Sequence, residues 1–155
     1  MSKSVKSKRI SKKVKLRMRN ALEKRATVKN YYPTESVAYR WFYIINKSVF
    51  NSMLPNVDIH IKRCPTYWGQ CVADWDNRKS RKGTCRQDVI PYENPTIRFY
   101  LELSTKFPTW KDFLETLVHE MVHLWQMSVI KDPTSSHNKN FYSWREKLAG
   151  INLKL

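Results

Sequence analysis

Leu117-Val118-His119-Glu120-Met121-Val122-His123-Leu124-Trp125-Gln126 is the stretch whose reading decides the fold. It sits inside a run in which Trp110, Phe113, Leu114, Leu117, Val118, Met121, Leu124 and Trp125 recur at helical spacing. At about 100° per residue these side chains share one arc, and His119, Glu120 and His123 fall on the other side with Asp112, Thr116 and Gln126. Pro108-Thr109 opens this helix, with Asp112 completing a cap that resembles a capping box, and Asp132-Pro133 ends it.

The helix gives the pattern His-Glu-x-x-His its chemical meaning. Residues i and i+4 lie on one face, so both imidazoles can reach one metal ion. Glu120 then stands beside the ion without ligating it, placed to accept a proton from water. A zinc site of this kind needs a third protein ligand and one open position. The remaining histidines are His60 and His137. His137 shares a 4-3-4 stripe with Phe141, Trp144 and Leu148, which predicts a helix over 137–149 with His137 on its inward side and Gly150 as its C′ residue. His60 alternates with Val57, Ile59 and Ile61 and reads as a surface histidine on the opposite face of its strand.

Upstream, Pro33-Thr34 opens a helix reaching about Asn51, with Val37, Trp41, Ile44, Ile45, Val49 and Phe50 as its buried stripe. Residues 57–61 and 96–103 alternate with period two and read as strands. Residues 67–75 are a further strand, with Gly69 allowing a bulge or a close backbone approach. The polar stretch 76–95 reads as a long loop. The order helix, three strands, helix, helix is that of an α+β domain with a small three-stranded sheet.

The chain has 155 residues, 29 Lys and Arg, and 13 Asp and Glu, a formal charge of +16. That length holds one domain with a core plus an arm. Residues 1–30 carry 12 of the cations and one acid, so the chain divides into a basic arm (1–30, partly disordered or helical) and a mildly basic domain (31–155). Within the arm, Ile10, Val14, Met18, Ala21 and Leu22 form a thin helical stripe, so this helix is expected to form only against the domain or a partner. Such charge favours a polyanion, with Lys8, Arg9, Lys12, Lys13, Lys15, Arg17 and Arg19 as candidate nucleic-acid contacts. Arg78, Lys79, Arg81, Lys82 and Arg86 form a second basic cluster that reads as a solvated loop. Cys64, Cys71 and Cys85 contain no CxxC pair, so no separate structural zinc site is expected, and an odd number too small for a disulfide scaffold points to a reducing, intracellular setting, in cytoplasm or nucleus. No run of about 18 apolar residues or secretory h-region is present, so neither a membrane span nor export is expected.

Several blocks, taken in order, resemble the SprT-like (Spartan-type) zinc metallopeptidase family. They are Phe50-Asn51-Ser52-Met53-Leu54-Pro55, Trp68-Gly69-Gln70-Cys71, Leu117 to Gln126, and His137 with Phe141 four residues on. The resemblance covers about residues 35–152. It implies a minimal zincin-like domain holding one Zn2+ on His119, His123 and His137, with Glu120 as general base. It also implies a protease acting on proteins bound to DNA. Many relatives carry a C-terminal DNA-binding module, for which the basic arm is expected to substitute, and a glycine where Asn138 stands here. For peptide hydrolysis a second oxyanion donor is expected, Tyr67 or Tyr142, and an exposed strand edge in 67–75 or 96–103 to pair with an extended substrate. The competing reading is a non-enzymatic nucleic-acid-binding protein stabilised by zinc.

Overall fold

In the computed structural model of the chain, the described residues are 9–25, 28–76, 90–132 and 136–155. Lys8, Cys85, Pro133, the basic cluster at 78–86 and most of the loop expected over 76–95 lie outside them. Along the chain run α1 (Lys12–Arg25), β1 (Lys29–Tyr31), α2 (Glu35–Ser48), β2 (Asp58–Ile61), β3 (Gly69–Asp74), β4 (Arg98–Leu103), β5 (Phe107–Thr109), α3 (Trp110–Ser128), α4 (Lys139–Tyr142) and α5 (Arg145–Ala149). This is the α+β arrangement the sequence predicts, with a three-stranded sheet against the long helix.

The sheet order is β2-β4-β3. β4 lies in the centre, parallel to β2 (Ile59 opposite Leu101) and antiparallel to β3 (Cys71 opposite Leu101). Of the two strands expected to offer an edge, residues 96–103 are therefore paired on both sides, whereas β3 is an edge strand. Gly69 explains how closely β3 approaches α3. A Cβ built there would stand 3.0 Å from the Glu102 carbonyl oxygen and 3.0 Å from Thr116 Cγ2, so the close approach anticipated at Gly69 is realised.

A second, two-stranded sheet escaped the sequence reading: β1 pairs antiparallel with β5, Lys29 opposite Thr109 and Tyr31 opposite Phe107. Three-residue strands carry too little alternation to be seen. This pairing leads directly into α3, whose N-cap is Thr109: its hydroxyl accepts from the Asp112 N–H at 3.1 Å and donates to the Asp112 carboxylate at 2.8 Å.

α3 is the axis of the core. Phe113, Leu114, Leu117, Val118, Met121 and Leu124 are fully buried, and Trp110 meets Trp41 of α2 edge to face at 5.2 Å. Thr34 caps α2, its hydroxyl accepting from the Val37 N–H at 3.2 Å. The helix ends where Asn51 and Ser52 take positive φ and Asn46 grips Leu54 with two 3.1 Å bonds. α1 is docked: Ile10, Met18 and Leu22 are buried in the same cluster as α3, and the Arg25 guanidinium lies over the Trp110 ring.

The helix expected over 137–149 is broken. His137 precedes it, Asn138 is the N-cap of α4, and a turn at 143–144 separates α4 from α5. The Ser143 hydroxyl turns back onto the Asn140 carbonyl at 2.5 Å, offering the backbone an alternative to a continuous ladder. Gly150 has ordinary helical φ of −61°, and the left-handed residue of this terminus is Asn152. Phe141, Trp144 and Leu148 are nevertheless buried as their spacing predicts.

Candidate metal centre

The polar side of α3 is not a solvated face. Glu120 is 6% exposed, His123 9% and Gln126 0%. β3 covers this side toward the middle of the helix, and the turn leading into α4 covers it toward the C-terminus.

That turn brings His137 over the two helical histidines. His137 Nε2 lies 3.2 Å from His123 Nε2 and 3.1 Å from His119 Nε2. Ligand atoms of all three fall within 4.8 Å of one another, the one such cluster among the described residues. An ion bound tetrahedrally at about 2.0–2.1 Å from each nitrogen sets neighbouring nitrogens about 3.3 Å apart. The donor set and its spacing therefore fit a transition-metal ion such as zinc. The Phe141 ring forms the apolar floor, its centroid 4.9, 4.7 and 4.6 Å from the rings of His119, His123 and His137.

The electrostatics suit a cation. Burial, followed by the charges His123 and His137 would carry, holds the His119 imidazole down at about 4, so its lone pair is free at neutral pH. Burial pushes the Glu120 carboxyl up to about 8, opposed by a hydrogen bond from the Cys71 backbone N–H. Edge strand β3 thus holds the carboxylate next to the histidines. His60 lies elsewhere, exposed on β2 against the ring of Tyr100 at 5.5 Å.

His119 and Glu120 open on a cleft of about 550 Å³ whose walls include Tyr67, Trp68, Gly69, Phe107 and Thr116. Trp68 is 53% exposed there. The Tyr67 hydroxyl donates to the buried Glu102 carboxylate at 3.2 Å, and Gln70 and Lys62 bind the same carboxylate. Burial, then the charge of Glu102, pushes the Tyr67 phenol up to about 12. Tyr142, the other candidate donor, is near His137 rather than in this wall, its ring 6.4 Å from the imidazole and under the Arg145 guanidinium.

Of the candidate nucleic-acid contacts, Arg9, Lys12, Lys13, Lys15, Arg17 and Arg19 are exposed on or beside α1, whose opposite face is buried in the core. No helix among the described residues is long and apolar enough to cross a membrane.

Sequence reasoning assigned no role to Gln126 or Asn138. Gln126 accepts at Oε1 from His123 Nδ1 at 2.8 Å. It donates from Nε2 to the Ser136 carbonyl at 2.9 Å and to Asn138 Oδ1 at 3.1 Å. The available signal was position: Gln126 stands three residues after His123 on the polar side of the helix. Asn138 needs no glycine freedom, with φ of −96°, and its side chain caps α4 by accepting from the Phe141 N–H.

No curated protein and no solved structure matches the chain. The model of the SprT-like family matches residues 38–154, from within α2 through both elements that carry the histidines. The chain belongs to the SprT-like family.

Proposed function

We propose that the chain is a zinc metallopeptidase that hydrolyses peptide bonds in proteins bound to nucleic acid, DNA being the favoured polymer. The observation that carries this reading is the convergence of three imidazole Nε2 atoms beside a buried Glu120, with His119 and Glu120 lining an open cleft. His119, His123 and His137 would hold the ion. Zinc there supplies Lewis-acid chemistry, acidifying a water and polarising a carbonyl.

The chain's own residues account for the remainder. Glu120 takes the proton of the attacking water on its carboxylate and returns it to the leaving amine. The Cys71 backbone N–H keeps the Glu120 carboxylate aimed at that water. An extended peptide is expected to pair along edge strand β3. The exposed cations of α1 supply the polyanion contact from a helix fixed to the domain, so binding and cleavage would be held in one geometry.

The test is Glu120→Gln. It is expected to keep bound zinc, measured by elemental analysis, and to abolish cleavage of a DNA-bound protein. Full activity in that variant overturns the reading. Zinc retained without cleavage by the wild-type chain favours a purely structural ion.

A further inference from the structure

We propose that Gln126 is a positioning residue of the metal centre, its amide selecting the nitrogen that His123 turns to the ion and fixing the turn that delivers His137. The inference rests on the metal reading above and adds residues to it.

The orientation of the amide follows from its neighbours. Nε2 faces two oxygens, the Ser136 carbonyl and Asn138 Oδ1, and only the NH2 end can satisfy both. Oε1 is thereby turned to His123 Nδ1, 2.8 Å away, and requires a hydrogen there. With the proton on Nδ1, Nε2 of neutral His123 carries its lone pair, and Nε2 is the atom that meets His119 and His137. The alternative tautomer would point an N–H into the cluster and set the Nδ1 lone pair against those of Gln126 Oε1.

The second half of the amide reaches the third ligand. Ser136 and Asn138 flank His137, so Gln126 grips the chain on both sides of it. Asn138 is itself committed: Oδ1 also accepts from the Phe141 N–H at 3.1 Å, and Nδ2 donates to Asp132 Oδ2 at 2.8 Å. The Asp132 N–H returns to the Gln126 carbonyl at 2.7 Å. One side chain, fully buried, ties the end of α3, which holds His119 and His123, to the turn before α4 that holds His137. An aliphatic residue could fill this space, but it could neither orient His123 nor hold the turn.

The test is zinc affinity by chelator competition on the full chain, with the visible spectrum of the cobalt-loaded protein as a report on ligand geometry. Gln126→Met keeps the shape and removes all three bonds. It is expected to weaken zinc about 10–100-fold and to shift the cobalt bands. Gln126→Glu restores the acceptor for His123 but sets a carboxylate against two oxygens. A positioning role predicts that it binds zinc at least about threefold more tightly than Gln126→Met, because the carboxylate re-orients His123. A merely structural role predicts the reverse order. Asn138→Ala, at a half-exposed site, carries the test where Gln126→Met fails to fold, and is expected to weaken zinc about 3–10-fold. Affinity within twofold of wild type in Gln126→Met, or unchanged in Asn138→Ala, overturns the inference, as does tighter binding by Gln126→Met than by Gln126→Glu. His119→Ala separates the two levels. Zinc retained there removes the metal reading itself, whereas zinc lost there but unchanged in Gln126→Met removes only the role of Gln126.

Discussion

Gly69→Ala inserts one methyl group where β3 passes α3. The new Cβ would meet the Glu102 carbonyl oxygen and Thr116 Cγ2 at 3.0 Å each and Leu103 Cδ2 at 3.1 Å. Two of these neighbours are hard to move: a backbone carbonyl in central strand β4 and a β-branched side chain on the packed helix. Overpacking of this kind costs about 1–3 kcal/mol. Removing a glycine from the unfolded chain returns about 0.4–1 kcal/mol. The net expectation is a loss of about 1–2 kcal/mol, or about 2–8 °C in Tm for a chain of this size. The measurement is urea unfolding of the metal-free protein in chelator, followed by circular dichroism. Thr116→Ser removes the Cγ2 contact, so the double-mutant cycle should give a favourable coupling of about 0.5–1 kcal/mol with Gly69→Ala. Because β3 also carries the Cys71 N–H that aims Glu120, Gly69→Ala should lower turnover more than zinc content. A Gly69→Ala protein as stable as wild type, with no coupling to Thr116, refutes the claim that this glycine is needed for close approach.

In the metal-free protein Glu120 titrates near 8 when folded and near its ordinary 4.5 when unfolded, so the folded state binds the extra proton between those values. Stability contributed through this carboxyl is present below about 4.5 and lost as pH rises toward 8. Glu120→Gln should therefore be more stable than wild type in chelator at pH 8, by about a few kcal/mol at most, with the advantage fading toward pH 4.5. Equal unfolding midpoints at both pH values would count against a buried, charge-averse carboxyl. His119 acts in the opposite direction: its folded value near 4 lies below the ordinary 6.5, so its contribution is present above 6.5 and lost on acidification through 4. A metal-free His119→Gln chain should lose less stability between pH 6.5 and 4 than wild type, read by the same unfolding curves. Replacing Lys12, Lys13, Arg17 and Arg19 together with glutamine leaves the buried face of α1 intact. It should reduce the salt slope of DNA binding by about 0.9 for each phosphate that is no longer neutralised, and an unchanged slope removes α1 as the DNA-binding element.

The readable part of the fold was the part with a period. α3 and α2 announced themselves through apolar residues at helical spacing and through Thr34 and Thr109 at their starts. β2 and β4 showed alternation, and Gly69 pointed to close approach. β1 and β5 are three residues each, too short for a pattern, and their pairing joins distant parts of the chain, Lys29 opposite Thr109. The split between α4 and α5 was hidden because the stripe of Phe141, Trp144 and Leu148 survives a turn that keeps their side chains inward. At the site, His119, Glu120 and His123 are fixed relative to one another by the helix alone, so their mutual geometry is legible. His137 is placed by Gln126, Ser136 and Asn138, a hydrogen-bonded network whose members look like ordinary surface polar residues until their partners are seen.

That difference has an energetic consequence. Gln126 is buried with every bond made, so its burial is close to neutral for folding. Glu120 is nearly as buried, and the backbone N–H of Cys71 does not offset the loss of solvation, which is why its carboxyl is pushed up to about 8. His119 is held down near 4 by burial and by its two neighbours. Glu120 thus resists its negative charge, and a cation arriving among the imidazoles beside it relieves that penalty. The network around Gln126 keeps the ligands in place before that event, so the cation's binding energy is not consumed in ordering the turn. The metal-free chain is thus built as a prepared but electrostatically unsatisfied site, and zinc should raise its unfolding midpoint in proportion to the logarithm of free zinc above the dissociation constant.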